Sequence, residues 1–319
     1  MKKQFIDQLK AGDAIDDIFI LAEKNLSHTR DGKPYLTLEL SDKSGHAKGV
    51  AWDRAEQLSR NASSGDPVAV RGQAGEYKGN LQIVVKSLEP VPAEGYDPAD
   101  FMPVTTRNID VMYDRLVNIT RNFETDYLRS LFELFWADDE FVAKFKRAPA
   151  AKKMHHAYIG GLLEHILSMA VLADKVSGHY SGIDRELLIA GVILHDVGKV
   201  REFNFTLNID YSDEGRFLSH IVIGVQMVDE KIKSVDGFPV EKANLLKHMI
   251  ISHHGEREFG SPEPPKTIEA VMLHFIDDID SKVNSIRDYM TEDETDENWT
   301  RYHRLLERHF YKGTPGTRS

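Results

Sequence analysis

The sequence predicts an α+β multidomain chain in which a small β-barrel precedes an all-α domain. Three observations carry this prediction. β-type alternation is confined to the first ninety residues, a proline-rich stretch follows, and beyond it apolar residues recur at helical spacing with histidines and aspartates set among them. The ranges that follow are 1–90 for the barrel, 91–106 for a linker, 107–312 for the helical domain and 313–319 for a disordered tail.

From Ile15 onward the segments IDDIFILAEKNL, PYLTLELSD, HAKGVAWD, DPVAVRGQAGEY and NLQIVVKSLEPV alternate or run continuously in β-branched residues. Turn pairs at Asp31-Gly32 and Ser44-Gly45, and the stretch Lys78 to Asn80, separate them. The segment RAEQLSRNASS, between the third and fourth strands, reads as a short helix and loop. Five strands with a helix after the third match the OB arrangement, whose face and loops commonly take up oligonucleotides. Candidate contacts are Lys33, Tyr35, Trp52, Arg71, Tyr77 and Lys78, which pair aromatic faces with cations as single-strand binders do. Ordinary barrel packing and surface charge account for the same residues one at a time.

Pro90, Pro92, Pro98 and Pro103 exclude a helix or central strand and mark the boundary. Past it, Ile109, Met112, Leu116 and Ile119, then Leu128, Leu131 and Phe135, repeat at helical spacing. Helices are expected to continue from about Ala150 to Tyr311. One interruption is predicted, a β-hairpin over FNFTLNIDYSDEGRFL, and the acidic run TEDETDEN reads as a solvated loop.

Composition narrows the chemistry. The 319 residues contain no cysteine, so disulfides, thiolate metal sites and a cysteine nucleophile are excluded together. No apolar run approaches a membrane span, and MKKQFIDQLKAGDAI lacks the apolar core of an export signal, so a cytoplasmic chain without membrane association is expected. Net charge is −11, while residues 1–90 hold 13 basic and 13 acidic side chains. All of the excess therefore lies beyond residue 90, which argues against a simple polycationic nucleic-acid binder. A polyanionic substrate stays open, because bound cations and a local basic track outweigh a distant acidic surface.

The helical part places metal-ligand side chains inside apolar runs. LLIAGVILHDVGK ends in His195 and Asp196. His165 lies in GGLLEHILSMA, His220 in RFLSHIVIG, His253 and His254 in ISHHGE, and Asp277 and Asp280 in LHFIDDIDSK. A buried carboxylate beside a histidine is costly unless something pairs it, and a divalent cation supplies that pairing. Helical spacing puts His274, Asp277 and Asp280 on one side of their helix and turns Asp278 elsewhere. His165, His195, Asp196 and Asp277 form one ligand set. Asp196 is able to bridge to a second ion held by His220 and by His253 or His254, so one or two ions are accommodated. Asp280 is expected behind a ligand, orienting a histidine or a water. Lys199 is read two ways, as a phosphate-facing charge or as a solvent-exposed helix end. The residues assigned to the chemistry itself are Asp196, Lys199, His254 and Asp280. Nitrogen and oxygen donors suit Mn²⁺, Fe²⁺, Co²⁺, Mg²⁺ or an open Zn²⁺ site.

The ordered set His165, His195-Asp196 with VGK behind it, His220, His253-His254-Gly255 and Asp277 resembles the HD-domain metal-dependent phosphohydrolases. More narrowly, the barrel followed by APAAKKMHHAYIGGLLEHILS, LLIAGVILHDVGK, GRFLSHIVIG and ISHHGEREFGSPEPPKTIEAVMLHFIDDIDSKV is similar to the YhaM-type 3′→5′ exoribonucleases. The resemblance implies an HD helical domain, Mn²⁺-dependent activity, and removal of nucleotides from the 3′ ends of single-stranded RNA or DNA. Two other classes compete, a nucleotide or cyclic-nucleotide phosphohydrolase and a non-catalytic nucleic-acid-binding protein. A barrel suited to strands weighs against the first, and the full ligand set against the second. Self-association is left open by the sequence.

Overall fold

The computed structural model describes residues 2–77, 79–97, 100–152, 156–293, 295 and 297–313. The chain divides into two compact units, residues 1–104 with 204–210, and residues 105–203 with 211–319.

In the first unit, β1 (Ala14–His28), β2 (Pro34–Asp42), β3 (Gly45–Ala51), β4 (Pro67–Tyr77) and β5 (Asn80–Pro90) close into a barrel in the order β1-β2-β3-β5-β4. Within the barrel, β3 and β5 pair in parallel and the other neighbours antiparallel. Closure leaves no long free edge. The alternation read in PYLTLELSD sends Leu36, Leu38 and Leu40 inward against Phe19, Val70 and Ile83. As the sequence predicts, a short helix, α1 (Ala55–Asn61), follows β3 and buries Ala55 and Leu58. A register shift between Arg71 and Gly72 bends β4. It requires glycine, because a Cβ at position 72 would fall 2.2 Å from the Val84 carbonyl oxygen.

The second unit is built of α2 (Ile109–Arg121), α3 (Asp126–Trp136), α4 (Asp139–Phe145), α5 (Gly161–Ser177), α6 (Arg185–Leu194), α7 (Lys199–Glu202), α8 (Asp213–Lys233), α9 (Val240–Ser252) and α10 (Ile268–Glu292). The amphipathic α2 and α3 bury the apolar faces read from their spacing. By contrast α6 is buried all round from Leu187 to Leu194, as a central helix must be. It packs on α5, which carries His165, on α9, which leads into His253 and His254, and on α10, which carries Asp277. Side-chain caps at Asn108, Asp138, Asp184, Ser212 and Thr267 fix the starts of α2, α4, α6, α8 and α10. No helix among the described residues is long and apolar enough to cross a membrane.

Three local expectations change. The predicted hairpin shrinks to two-residue strands, β6 (Phe203–Asn204) and β7 (Asp210–Tyr211), because Ser212 caps the Gly215 amide and turns DEGRFL into the start of α8. Helix α6 stops at Leu194, so His195 to Gly198 form a turn and Lys199 opens a new helix. Finally, the chain after α10 is not helical among the described residues. Asp293 accepts from the Thr295 and Arg301 amides and pairs with the buried Lys312 Nζ at 2.6 Å, which ties residues 297–313 into an irregular loop. Residues 314–319, nearly all of the predicted tail, lie outside the described residues.

Candidate metal centre

The apolar α6 carries His195 and Asp196 into the interior, where they are 0% and 2% exposed. The helix end solves a local problem there. His195 Nδ1 donates to the Val192 carbonyl at 2.7 Å, and at the end of α9 His253 Nδ1 donates likewise to Ile250 at 2.7 Å. Each bond satisfies a terminal carbonyl and fixes a tautomer whose Nε2 lone pair points into the cluster. His220 follows a break in α8 at Ser219, a non-glycine residue at φ 58°. Its backbone amide and Nδ1 both donate to Glu202 Oε1, at 2.8 and 3.0 Å, so this buried carboxylate orients the ring. Close approach makes the crossing of α8 with the His195–Gly198 turn possible, since a Cβ on Gly198 would lie 2.0 Å from the His220 carbonyl oxygen.

Asp196 is the centre of the arrangement. Its Oδ2 faces His195 Nε2 at 3.3 Å and His165 Nε2 at 3.9 Å, while its Oδ1 faces His220 Nε2 at 3.5 Å and His253 Nε2 at 3.8 Å. Asp277 Oδ1 lies 3.4 Å from His165 Nε2. Ligand atoms within 4.8 Å of one another thus form overlapping groups, His165-His195-Asp277, His195-Asp196-His253 and His220-His253-His254, with His156-His165-Asp280 adjoining them. Within them, His195 Nε2, Asp196 Oδ1, His220 Nε2 and His254 Nδ1 are buried without a hydrogen-bond partner. Burying such atoms unpaired costs free energy at each one, so their convergence on one spot fits a divalent cation.

The electrostatics agree. Burial alone would raise the Asp196 carboxyl, but Lys199 and His195 hold it well below the usual carboxylate range. Burial also opposes ionisation of Asp277, and its hydrogen bond with His165 overrides that. His253 is pushed well below the ordinary histidine value by burial and by the neighbouring His195, and His254 is lowered by burial and His220. Both rings are therefore neutral donors. His165 differs: burial lowers it, yet Asp277 and Asp280 raise it to about 9.

The structure brings together His165, His195, Asp196, His220, His253, His254 and Asp277. Asp280 sits behind His165, accepting from its Nδ1 at 2.8 Å. Asp278 pairs with Lys282 on the solvent side, as helical spacing requires. Lys199 is not a solvent-exposed helix end, because its Nζ lies 2.6 Å from Asp196 Oδ2. His274 donates to the His253 carbonyl and supports the turn instead of entering the cluster. Glu202 and His156 were not read from the sequence. Glu202 sits in a polar-looking KVREF, and His156 lies before its helix begins, outside any periodic frame. The only signal for His156 was the pair of histidines at the head of HHAYIGG.

On the barrel, Tyr35 and Trp52 stack at a ring-centroid distance of 5.2 Å, with Trp52 56% exposed, beside the β1–β2 turn that carries the exposed Lys33. Arg71 is apart from them. It pairs with Asp16, on β1, whereas Tyr35 pairs with Ser27 far along the same strand. Tyr77 is exposed at the tip of the β4–β5 hairpin, and Lys78 lies outside the described residues.

Comparison with known proteins follows the same division. Residues 162–282 match the HD domain, and residues 22–91 match the OB-fold nucleic acid binding domain. The HD match places the histidine and aspartate cluster in a divalent-metal fold. Over 308 residues the chain is 33% identical to the 3′-5′ exoribonuclease YhaM of Bacillus subtilis (strain 168), covering 96% of both chains. It is 32% identical, at the same coverage, to the protein of that name from Bacillus velezensis. The chain belongs to the YhaM 3′-5′ exoribonuclease family.

Proposed function

We propose that this chain is a cytoplasmic, metal-dependent exonuclease that removes nucleotides from the 3′ end of single-stranded RNA, and of single-stranded DNA. The observation that carries the reading is Asp196, whose two oxygens face two different sets of imidazoles across a cluster of unpartnered ligand atoms. One ion would be held by His165, His195, Asp196 and Asp277, and a second by Asp196, His220, His253 and His254. Family resemblance favours Mn²⁺, and the nitrogen and oxygen donors also accommodate Fe²⁺, Co²⁺ or Mg²⁺. When bound, two such ions supply an activated water and neutralise the leaving oxygen of a phosphodiester.

The chain's own residues do the positioning. Glu202 and the Val192 and Ile250 carbonyls hold His220, His195 and His253 with Nε2 inward. Lys199 balances the charge of Asp196, and beside it offers a cation to a phosphate oxygen. His254, the less buried of its pair, is available as a ligand or as a proton acceptor at Nδ1. On the barrel, the Tyr35–Trp52 stack offers a ring face to an unstacked base, with Lys33, Arg71, Tyr77 and Lys78 as backbone contacts.

The test is 5′-labelled single-stranded RNA incubated with purified protein and Mn²⁺, with and without chelator. A ladder that shortens from the 3′ end and vanishes with chelator is expected. Intact RNA alongside hydrolysis of free nucleotides would transfer the chain to the nucleotide phosphohydrolases, and binding without cleavage to the non-catalytic binders. The reading includes a homo-oligomer, which the mass of the full chain by light scattering tests.

A further inference from the structure

A buried network stands behind the metal-facing histidines, and all of it but His165 lies outside the two ion sites proposed above. Its core is Asp280, 6% exposed on α10. Asp280 Oδ2 accepts from His165 Nδ1 at 2.8 Å and lies 3.5 Å from His156 Nε2, and Oδ1 accepts from Ser168. His156 is itself 4% exposed. Its Nδ1 lies 2.7 Å from the Tyr158 hydroxyl, which donates to Glu164 Oε2 at 3.0 Å. Glu164 also accepts from Thr105 at 2.6 Å and pairs with Arg107 at 3.1 Å. One edge of the His156 ring thus meets the Tyr158 hydroxyl and the other faces Asp280.

A second observation is independent of these bonds. His156 is a non-glycine residue at φ 57°, in the left-handed region that such side chains seldom occupy. The strain is maintained by close packing. The His156 carbonyl accepts from the Ala150 amide at 3.1 Å, and Gly161 lies against it so closely that a Cβ there would fall 2.0 Å from that oxygen. Strain of this sort persists only where the surroundings over-determine the conformation, and it gathers where a side chain must be aimed.

We propose that His156 is a positioning residue for the metal-facing His165. It braces Asp280 from the side opposite Ser168, and Asp280 in turn fixes Nδ1–H on His165, leaving the Nε2 lone pair toward Asp196 and Asp277. Tyr158 and Glu164 extend the brace to Arg107, 57% exposed at its side chain. The inference rests on the metal centre proposed above. It adds that the affinity of that centre is set by a histidine outside both proposed ion sites. Partners that orient ligating histidines typically contribute about 10–100-fold to metal affinity.

The experiment is titration of the metal-free full chain with Mn²⁺, followed by calorimetry, for wild type, His156→Leu, His156→Gln and Tyr158→Phe, each paired with a thermal melt of the metal-free protein. Expected are Mn²⁺ affinity about tenfold or more weaker in His156→Leu, a smaller loss in Tyr158→Phe, and largely restored affinity in His156→Gln, whose amide is able to donate to Asp280. Excess Mn²⁺ should recover RNA turnover in His156→Leu. Wild-type affinity in His156→Leu and Tyr158→Phe would overturn the proposal and leave the metal centre standing. Equal losses of affinity and melting temperature in the Leu and Gln variants would also overturn it, by showing a packing role only. If His156→Leu does not fold, Tyr158→Phe decides. A wild-type chain that takes up no Mn²⁺ would remove the metal centre and this inference together.

Discussion

At the scale of single residues, the pair Asp196–Lys199 governs what a substitution will do. Asp196→Ala removes the carboxylate that faces both imidazole sets, so hydrolysis should be abolished. It also strands a buried ammonium, and breaking a buried ion pair from one side costs about 3–5 kcal/mol. Denaturant melts of the metal-free protein should therefore show Asp196→Ala clearly destabilised and Asp196→Ala/Lys199→Met largely recovered. Equal stability of the two variants would show that Lys199 finds another partner. His165 yields a pH dependence. Its value in the metal-free chain is raised from 6.5 to about 9, so it is protonated at pH 7, and the stabilisation it contributes is complete below 6.5 and lost as pH rises through 9. A metal must displace that proton. Mn²⁺ binding at pH 7 should release about one proton through His165, with affinity rising up to about tenfold per pH unit and levelling above pH 9. Calorimetry in buffers of different ionisation heat measures this, and no proton release would mean that His165 is not a ligand.

Legibility at this scale follows burial. His195, Asp196 and His165 stood out because each interrupts a run of apolar side chains, where a polar group has to be explained. Glu202 did not, since nothing in KVREF distinguishes a carboxylate that orients His220 from one in water. The pairing of Lys199 was hidden for a geometric reason: the end of α6 at Leu194 turns it back onto Asp196.

Between elements, the crossing of the His195–Gly198 turn with α8 is the tightest constraint on the centre. Gly198 has an ordinary negative φ, so its role is space and not backbone freedom. Gly198→Ala should therefore push α8 away, destabilise the metal-free chain by about 1–3 kcal/mol, and weaken metal binding by displacing His220. An unchanged melt with unchanged metal affinity would show that the crossing relaxes without cost. Strand alternation was legible to the residue in PYLTLELSD, because one face of β2 is buried and the other is not. The same period misled in FNFTLNID, where few apolar side chains are buried and Ser212 starts a helix. The end of α10 was missed because Asp293 bonds side chain to backbone across a long loop, a contact that spacing does not reveal.

Across the whole molecule, charge placement sets how a nucleic acid is held. Net charge is −11 and the barrel segment is neutral, so few phosphates are neutralised by side chains. With a non-activating metal, log affinity for single-stranded RNA should fall with log salt at about −0.7 per phosphate contact, and about two to four contacts are expected. Stacking on Trp52 and Tyr35 would supply the salt-insensitive remainder. A slope equivalent to about eight phosphates would reveal a basic track that neither the sequence nor the barrel surface displays. The division into barrel and helical part was legible because its two periods differ. The convergence of five helices and turns on Asp196 was legible only as a list of ligand types in order.

The central claim is a two-ion centre bridged by Asp196, and elemental analysis of the purified chain, paired with turnover on single-stranded RNA, tests it most directly. Wild type loaded with Mn²⁺ should carry about two ions per chain. Asp196→Ala/Lys199→Met, folded by its melt, should carry fewer and show no turnover. A folded double variant that keeps both its metal and its turnover would contradict the account.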